Sequence, residues 1–273
     1  MKTFKQLGLI ALVAMAMLSC SSLTDLTAGL NAGDPGVEKG AFSISKNTKV
    51  CFAKGNLQYQ ASTLTWHFAD NQWEYIGIGN EAISDNYSGW IDLFGWGTGF
   101  AGSNTDGDGT NYSSFNDWGQ NEIVNGEDKT WFTLTDEEWT FLLSQRHTTS
   151  GILFAKAIVN NVNGLILLPD SWRTMIYILN DVNKDDVSFS SNRISLKVWQ
   201  EKFEANGAVF LPAAGWRNGT GSRAVGSRGL YWSATNSSAA MALSVQFGDS
   251  FIDFNQRDDK HFGFSVRLVS SIE

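Results

Sequence analysis

The sequence predicts an α+β domain, and three observations predict it. From Ala41 onward, short runs of alternating apolar and polar residues recur between Gly, Asn and Asp turn residues, the pattern of small antiparallel strands. Two stretches carry instead the spacing of amphipathic helices. The composition, 11 Trp and 18 Phe with 27 Gly against 3 Pro, describes a core packed largely by aromatic rings. Most of those rings are therefore read as structural.

The elements follow in chain order. Lys2 and Lys5 precede an apolar run from Leu7 to Leu18, then Leu18-Ser19-Cys20-Ser21-Ser22. The run falls well short of the roughly 20 residues a membrane-spanning helix needs, so residues 1–19 read as a cleaved signal peptide. The Leu-Ser-Cys ending is that of a lipobox, which makes Cys20 the lipidation site and residues 20–40, rich in Ser, Thr, Gly, Ala and Asp, a tether. Phe42-Ser43-Ile44, Val50-Cys51-Phe52 and Leu57-Gln58-Tyr59 alternate as strands, and Trp66-His67-Phe68 and Trp73-Glu74-Tyr75-Ile76 repeat that signature. Residues 79–130 form a long polar segment whose rings, Trp90, Phe94, Trp96, Phe100, Phe115 and Trp118, argue for packing on itself. A first helix starts at Thr135, with Glu138 completing a capping box and Trp139, Leu142 and Leu143 as its apolar stripe. Strands at 155–159 and 165–169 bracket Asn163-Gly164, read as a hairpin turn. A second helix runs from Ser195 to Asn206, with Leu196, Trp199 and Phe203 on one face and Gly207 as its stop. From Ala208 the chain returns to strand and turn, and it carries no repeat of solenoid period.

Charge and cysteine content narrow the function. The formal net charge is −8, and losing residues 1–19 with their two lysines moves it to −10. Nucleic acid is therefore excluded as a partner, since phosphate binding needs clustered Lys and Arg. The length suits one large domain or two small ones. With Cys20 lipidated, one of the chain's two cysteines is left, Cys51, which reads as a small buried core residue without an intrachain disulfide. His67, His147 and His261 are isolated in sequence, outside any nucleophile-elbow or zinc-ligand spacing. The pair Glu137-Glu138 belongs to the first turn of a helix, where it complements the dipole. The chain is read as a non-enzyme with no cofactor.

Six segments in order carry a resemblance: Gly55-Asn56-Leu57-Gln58-Tyr59, Gly89-Trp90-Ile91-Asp92-Leu93-Phe94-Gly95-Trp96-Gly97, Leu165-Ile166-Leu167-Leu168-Pro169-Asp170, Val209-Phe210-Leu211-Pro212-Ala213-Ala214-Gly215, Tyr231-Trp232-Ser233-Ala234-Thr235 and Gly263-Phe264-Ser265-Val266-Arg267-Leu268. Together they resemble the Fibrobacter succinogenes major paralogous domain family of Bacteroidetes surface lipoproteins, over nearly all of the chain after residue 41. That family is similar in fold to the C-type lectin-like domain, shared with formylglycine-generating enzymes and with the variable receptors of diversity-generating retroelements. The resemblance implies one α+β domain over 41–273, with two helices and small antiparallel sheets. It implies no single activity, because function resides in sites grafted on a fold. The cysteine chemistry of the formylglycine-generating relatives has no counterpart in a mature chain left with Cys51.

Two regions are weighed as sites. Asn104-Thr105-Asp106-Gly107-Asp108-Gly109 places oxygen ligands at alternate positions, as a Ca²⁺ loop would. The twelfth position of such a loop is Phe115 rather than Glu, so Asn104, Asp106 and Asp108 read as a solvated Asx turn and no metal is assigned. In the carboxy-terminal strands, Ser244 and Gln246 alternate with Val245 and Phe247, and Phe251, Asp253 and Asn255 alternate with Ile252 and Phe254, which predicts one free face. The polar run Arg257-Asp258-Asp259-Lys260 follows. By resemblance, this stretch is where retroelement receptors display their diversified ligand contacts. The expected ligand surface comprises Trp216, Arg217, Asn218, Asn236, Ser237, Ser244, Gln246, Phe251, Asp253, Asn255, Arg257, Asp258, Asp259 and Lys260, for an extracellular protein or glycan. Arg267 reads as structural. The expectation is a lipid-anchored binding protein of the outer membrane, on the cell surface or its periplasmic face. The other reading is an assembly subunit of a surface complex or fimbrial tip.

Overall fold

The computed structural model describes residues 40–127 and 129–272. The signal peptide, Cys20 and the tether up to residue 39 lie outside them. The strands β1 (Phe42–Ser43) and β2 (Lys49–Phe52) pair antiparallel, and a hairpin follows from β3 (Leu57–Gln60) to β4 (Thr65–Phe68). Residues 73–76 are not a strand, contrary to the alternation. The Glu74 carboxylate accepts from the Asn71 backbone N–H and side-chain amide (3.0 and 2.8 Å), and the Ile76 N–H is taken by Asp92 Oδ2 at 2.9 Å. Those local acceptors compete with a ladder.

The first helix, α1 (Asp136–Thr140), has the predicted capping box: Glu138 N–H donates to Thr135 Oγ1, and Glu138 Oε2 accepts from Thr135 N–H at 2.8 Å. It continues as a π turn over Phe141–Gln145, with Trp139, Leu142 and Leu143 buried. The hairpin of β5 (Phe154–Val159) and β6 (Val162–Leu167) corrects the turn assignment. Its turn is Asn160-Asn161, both at positive φ (48° and 66°), a conformation that Asn tolerates. Gly164 sits inside β6 instead, where a Cβ would lie 2.4 Å from Leu211 O and from the Phe210 ring. It is a glycine of close packing.

A short β7 (Arg193–Ile194) leads into α2 (Leu196–Val198), a π turn over Trp199–Phe203 and a 3₁₀ turn ending at Gly207, φ +79°. Trp199 and Phe203 are fully buried, whereas Leu196, expected beside them, is partly exposed in the first turn. After β8 (Val209–Pro212), the hairpin β9 (Trp216–Asn218) and β10 (Gly221–Arg223) precedes the meander β11 (Gly229–Asn236), β12 (Met241–Gly248) and β13 (Phe251–Asp259). The closing β14 (Val269–Ser271) returns to pair with β2, so the two ends of the domain share one sheet, ordered β1-β2-β14. The largest sheet is ordered β7-β5-β6-β8. Small antiparallel sheets and short helices make the fold α+β.

Both major sheets are covered on both faces. In β6, Leu165 and Leu167 face the α1 side, while Ile166, with Leu168 just after the strand, joins Trp199 and Phe203 of the π turn that follows α2. In β11 and β12, Tyr231, Val245 and Phe247 face the α1 core, while Leu230, Trp232 and Ala242 face the rings of the long segment. That segment packs as predicted: Phe94 lies 5.4 Å from Trp66 and Trp96 5.0 Å from Phe115, and Trp232 Nε1 donates to Phe94 O at 2.7 Å. Phe100 is the exception, 65% exposed.

Arg267 is structural. It is buried and donates to Asn56 Oδ1 (3.1 Å) and Gln72 Oε1 (3.0 Å), and burial pushes its pKa down to about 10. Its partners are neutral amides rather than a carboxylate. Cys51 is buried on β2 but not solitary: it is disulfide-bonded, its partner lying outside the described residues. That corrects the expectation of a lone thiol. No helix among the described residues is long and apolar enough to cross a membrane.

Candidate ligand-binding surface

The predicted free face of β12 is not free. Ser244 is fully buried and Gln246 is 9% exposed. Both donate to one oxygen of Asp258, Ser244 Oγ at 2.6 Å and Gln246 Nε2 at 2.7 Å. Alternation of polar and apolar residues signals a solvated face only on a strand with one covered side. Since β12 is central and covered on both sides, its polar residues turn to one another. Burial raises the pKa of the Asp258 carboxyl, the two donors oppose that rise, and Asp253 and Asp259 add to it.

Two predicted cations are also internal. Arg217 is fully buried and donates to the carbonyls of Leu93 (3.2 and 3.3 Å), Asn104 (3.3 Å) and Gly219. Desolvation lowers its pKa to about 10. Lys260 is 1% exposed, with Nζ 4.5 Å from the centroid of the Trp96 ring and donating to Ala239 O at 3.1 Å; its pKa is lowered by burial. Arg217, Lys260, Ser244 and Gln246 are thus removed from the contact surface.

The remaining predicted residues separate along the meander. Asn236 is opposite Ala242, which is opposite Asp258, and Met241 is opposite Asp259, so Asn236, Ser237, Asp258 and Asp259 gather at one end. Arg257, exposed, lies opposite Leu243 near that end. Phe251 stands opposite Gly248 at the other end, roughly 25 Å away at 3.3 Å per residue. Asp253 and Asn255 lie between, toward α1. Asn255 lines a groove of about 670 Å³ with Ile44, Thr135, Asp136 and Phe141, and Asp253 helps to raise the pKa of Asp136, chiefly raised by burial.

One group is drawn together around Trp216, and sequence reasoning found half of it. Trp216 is partly exposed, with Phe262 4.8 Å away and its hairpin partner Arg223 5.8 Å over the ring. Gly215 N–H donates to Arg228 O at 2.8 Å, which sets the start of this hairpin beside the start of β11. Arg228 in turn lies 5.3 Å over the Phe251 ring. Trp216 and Phe251, predicted separately, are therefore linked through Arg223 and Arg228, which were missed. Asn218 is exposed on the same hairpin. The signal for the two arginines was compositional: from Ala205 to Gly248 the chain has no Asp, Glu or Lys, and its charges are Arg217, Arg223 and Arg228.

The 104–109 loop folds as successive Asx turns. Asn104 Oδ1 accepts from Asp106 N–H (3.0 Å), Asp106 Oδ1 from Asp108 N–H (3.0 Å) and Asp108 Oδ1 from Thr110 N–H (2.9 Å). One side-chain oxygen of each of Asn104, Asp106 and Asp108 thus accepts from the loop's own backbone. Among the histidines, His67 stacks on Trp90 at 3.7 Å and bonds Gln58 Oε1 at 2.7 Å, and His261 packs on Phe262 at 4.5 Å.

A family model described as "Domain of unknown function (DUF8237)" matches residues 174–269, the stretch from before α2 through β13 to the start of β14. No curated protein and no solved structure matches the chain.

Proposed function

We propose that the chain is an exported, non-enzymatic binding protein whose ligand surface is built on Trp216, Asn218, Arg223, Arg228, Phe251 and Phe262. The observation that carries this reading is the pairing of partly exposed rings with exposed guanidinium groups on adjoining segments of chain. Trp and Arg anchors of this kind dominate recognition surfaces. The finer architecture, a C-type lectin-like domain, is proposed on the same footing; two short helices and an amino-terminal strand pair closed by β14 support it.

The test is binding of the mature chain to glycan and protein arrays, repeated with Trp216→Ala combined with Phe251→Ala. Loss of the array signal at an unchanged melting temperature supports the reading. A double variant that binds as wild type does overturns the assignment of this surface.

Anchoring through a lipid on Cys20 is part of the proposal and is tested separately. Mass analysis of the mature chain shows Cys20 either lipidated or unlipidated. The second result rejects the anchor and leaves the binding surface untouched.

A further inference from the structure

We infer that the Trp216 surface recognises an acidic polysaccharide, a glycan bearing carboxylate or sulfate groups; this rests on reading that surface as a binding site. The chain is acidic overall, at −8, yet the 205–248 stretch that supplies Trp216, Asn218, Arg223 and Arg228 carries positive charge alone. Of its three arginines, Arg217 is spent internally on carbonyls. Arg223 and Arg228 are exposed, and neither forms an ion pair among the described residues.

Each of the two lies over a ring. A guanidinium placed over an aromatic face keeps N–H donors to offer, and its planar fork matches a carboxylate or sulfate with two parallel hydrogen bonds. The ring also limits the side-chain motion that binding would otherwise have to freeze. Two such forks begin from adjacent backbone, through the Gly215–Arg228 hydrogen bond and the Trp216–Arg223 pair. The neighbouring acid, Glu81, accepts from Ser222 N–H at 3.0 Å.

A charged glycan fits the rest of the surface better than an acidic peptide does. It supplies oxyanions, hydroxyls and flat C–H faces from one polymer, for the guanidinium forks, the exposed Asn218 amide and the partly exposed Trp216 ring respectively. The groove beside α1 that could seat peptide side chains is lined by other residues.

The experiment is calorimetry or biolayer interferometry of the mature chain against polygalacturonate, dextran sulfate, neutral dextran and poly-L-glutamate. Binding to one or both charged glycans, weakening as salt rises, with none to neutral dextran, is the expected result. The polygalacturonate and dextran sulfate arms tell carboxylate from sulfate. Arg223→Gln with Arg228→Gln should weaken binding at least tenfold at an unchanged melting temperature, and Lys at both positions should restore only part of it. Equal binding to poly-L-glutamate assigns the surface to acidic peptides and overturns the inference. So does binding that the double Gln variant retains, or absence of binding to either charged glycan. An array ligand that is neutral and is lost with Trp216→Ala and Phe251→Ala would sink this inference while leaving the proposed function standing.

Discussion

Replacing Gln246 with Ala tests whether β12 is a central strand or a display strand. Gln246 is 9% exposed and supplies one of two donors, at 2.7 Å, to the Asp258 oxygen that Ser244 also serves. A hydrogen bond to a charged acceptor contributes about 1.5–3 kcal/mol, and leaving that acceptor short of a donor costs an amount of the same order. In a domain of this size each kcal/mol corresponds to about 2–4 °C, so the melting temperature should fall by roughly 3–12 °C. Asn255→Ala, at an exposed position on the neighbouring strand, is the control and should stay within about 0.5 kcal/mol. The loss should also depend on pH in a defined sense. The Gln246 and Ser244 donors lower a pKa that burial raises, so removing one raises it further. The deficit is then largest when Asp258 is ionised, above the shifted pKa, and it shrinks as the pH falls and the carboxyl protonates in both proteins. Thermal unfolding at pH 7 and pH 4 reads both effects. A variant that melts like wild type at pH 7 but no longer binds ligand would refute the buried network and restore Gln246 to the surface.

Four further outcomes follow from the packing, one turn and one buried acid. Trp199→Ala removes a fully buried ring stacked 5.5 Å from Phe203 and edge-on to Phe210 at 5.7 Å; it should cost about 3–5 kcal/mol by urea unfolding, and an unchanged midpoint would mean that α2 is not packed there. Gly164→Ala forces a Cβ to 2.4 Å from Leu211 O and should destabilise by about 1–3 kcal/mol. Asn161→Gly, at φ 66° in the turn, should not destabilise by more than a few tenths of a kcal/mol, and the reverse ranking would return the turn to Asn163-Gly164. Burial raises the pKa of Asp92 from 3.8 to about 6 against the opposing hydrogen bonds from Asn80 and Ile76. With the folded value above the unfolded one, this group's contribution to stability is complete below the unfolded pKa and is lost as pH rises through about 6. Carbon-detected NMR of the native protein should place its midpoint near 6, and a midpoint below 4 would contradict its burial.

The sequence was most informative where one physical requirement acted locally. Thr135 and Glu138 satisfy each other's backbone within one turn, and Gly207 ends the helical run that α2 begins in a left-handed conformation, so both boundaries could be read from neighbouring residues. The same holds for most rings of residues 79–130, Phe100 excepted, since a polar segment of that length gains by packing its interspersed Trp and Phe on itself. The errors came from tertiary context. Asn163-Gly164 is a strong turn dipeptide, but Gly164 answers to the Phe210 ring on the next strand, which a local reading does not contain. Ser244 and Gln246 were assigned to solvent by a period-2 argument that fixes which residues share a face and not whether a second layer covers it. Of the proposed surface, Trp216, Asn218 and Phe251 are residues that the sequence reading also named. Arg223 and Arg228 were missed because their significance lies in an absence of acids across a long stretch rather than in a motif.

The treatment of cations inside this fold bears on what the exposed ones do. Arg217, Arg267 and Lys260 are buried against carbonyls, amides or a ring. Lys156 joins them, donating to Asp185 O at 2.6 Å, its pKa lowered to about 8 mainly by desolvation. A buried cation on neutral acceptors is expensive to disturb, because the acceptors and the charge are both stranded when the pair is broken. Substitutions at these four positions should therefore register as lost stability. Arg223 and Arg228 face the opposite situation: their guanidinium groups are in water, lie over rings, and have no carboxylate within ion-pairing distance among the described residues. A surface cation–ring contact contributes only about 0.5–1 kcal/mol, so the fold loses little if either becomes Gln. The same residue type is thus divided into a structural set and a set whose removal the domain should barely register. If Arg217→Gln lowers the melting temperature while Arg223→Gln and Arg228→Gln do not, the exposed pair is free of folding constraint, and any binding lost with it can be attributed to contact with the ligand.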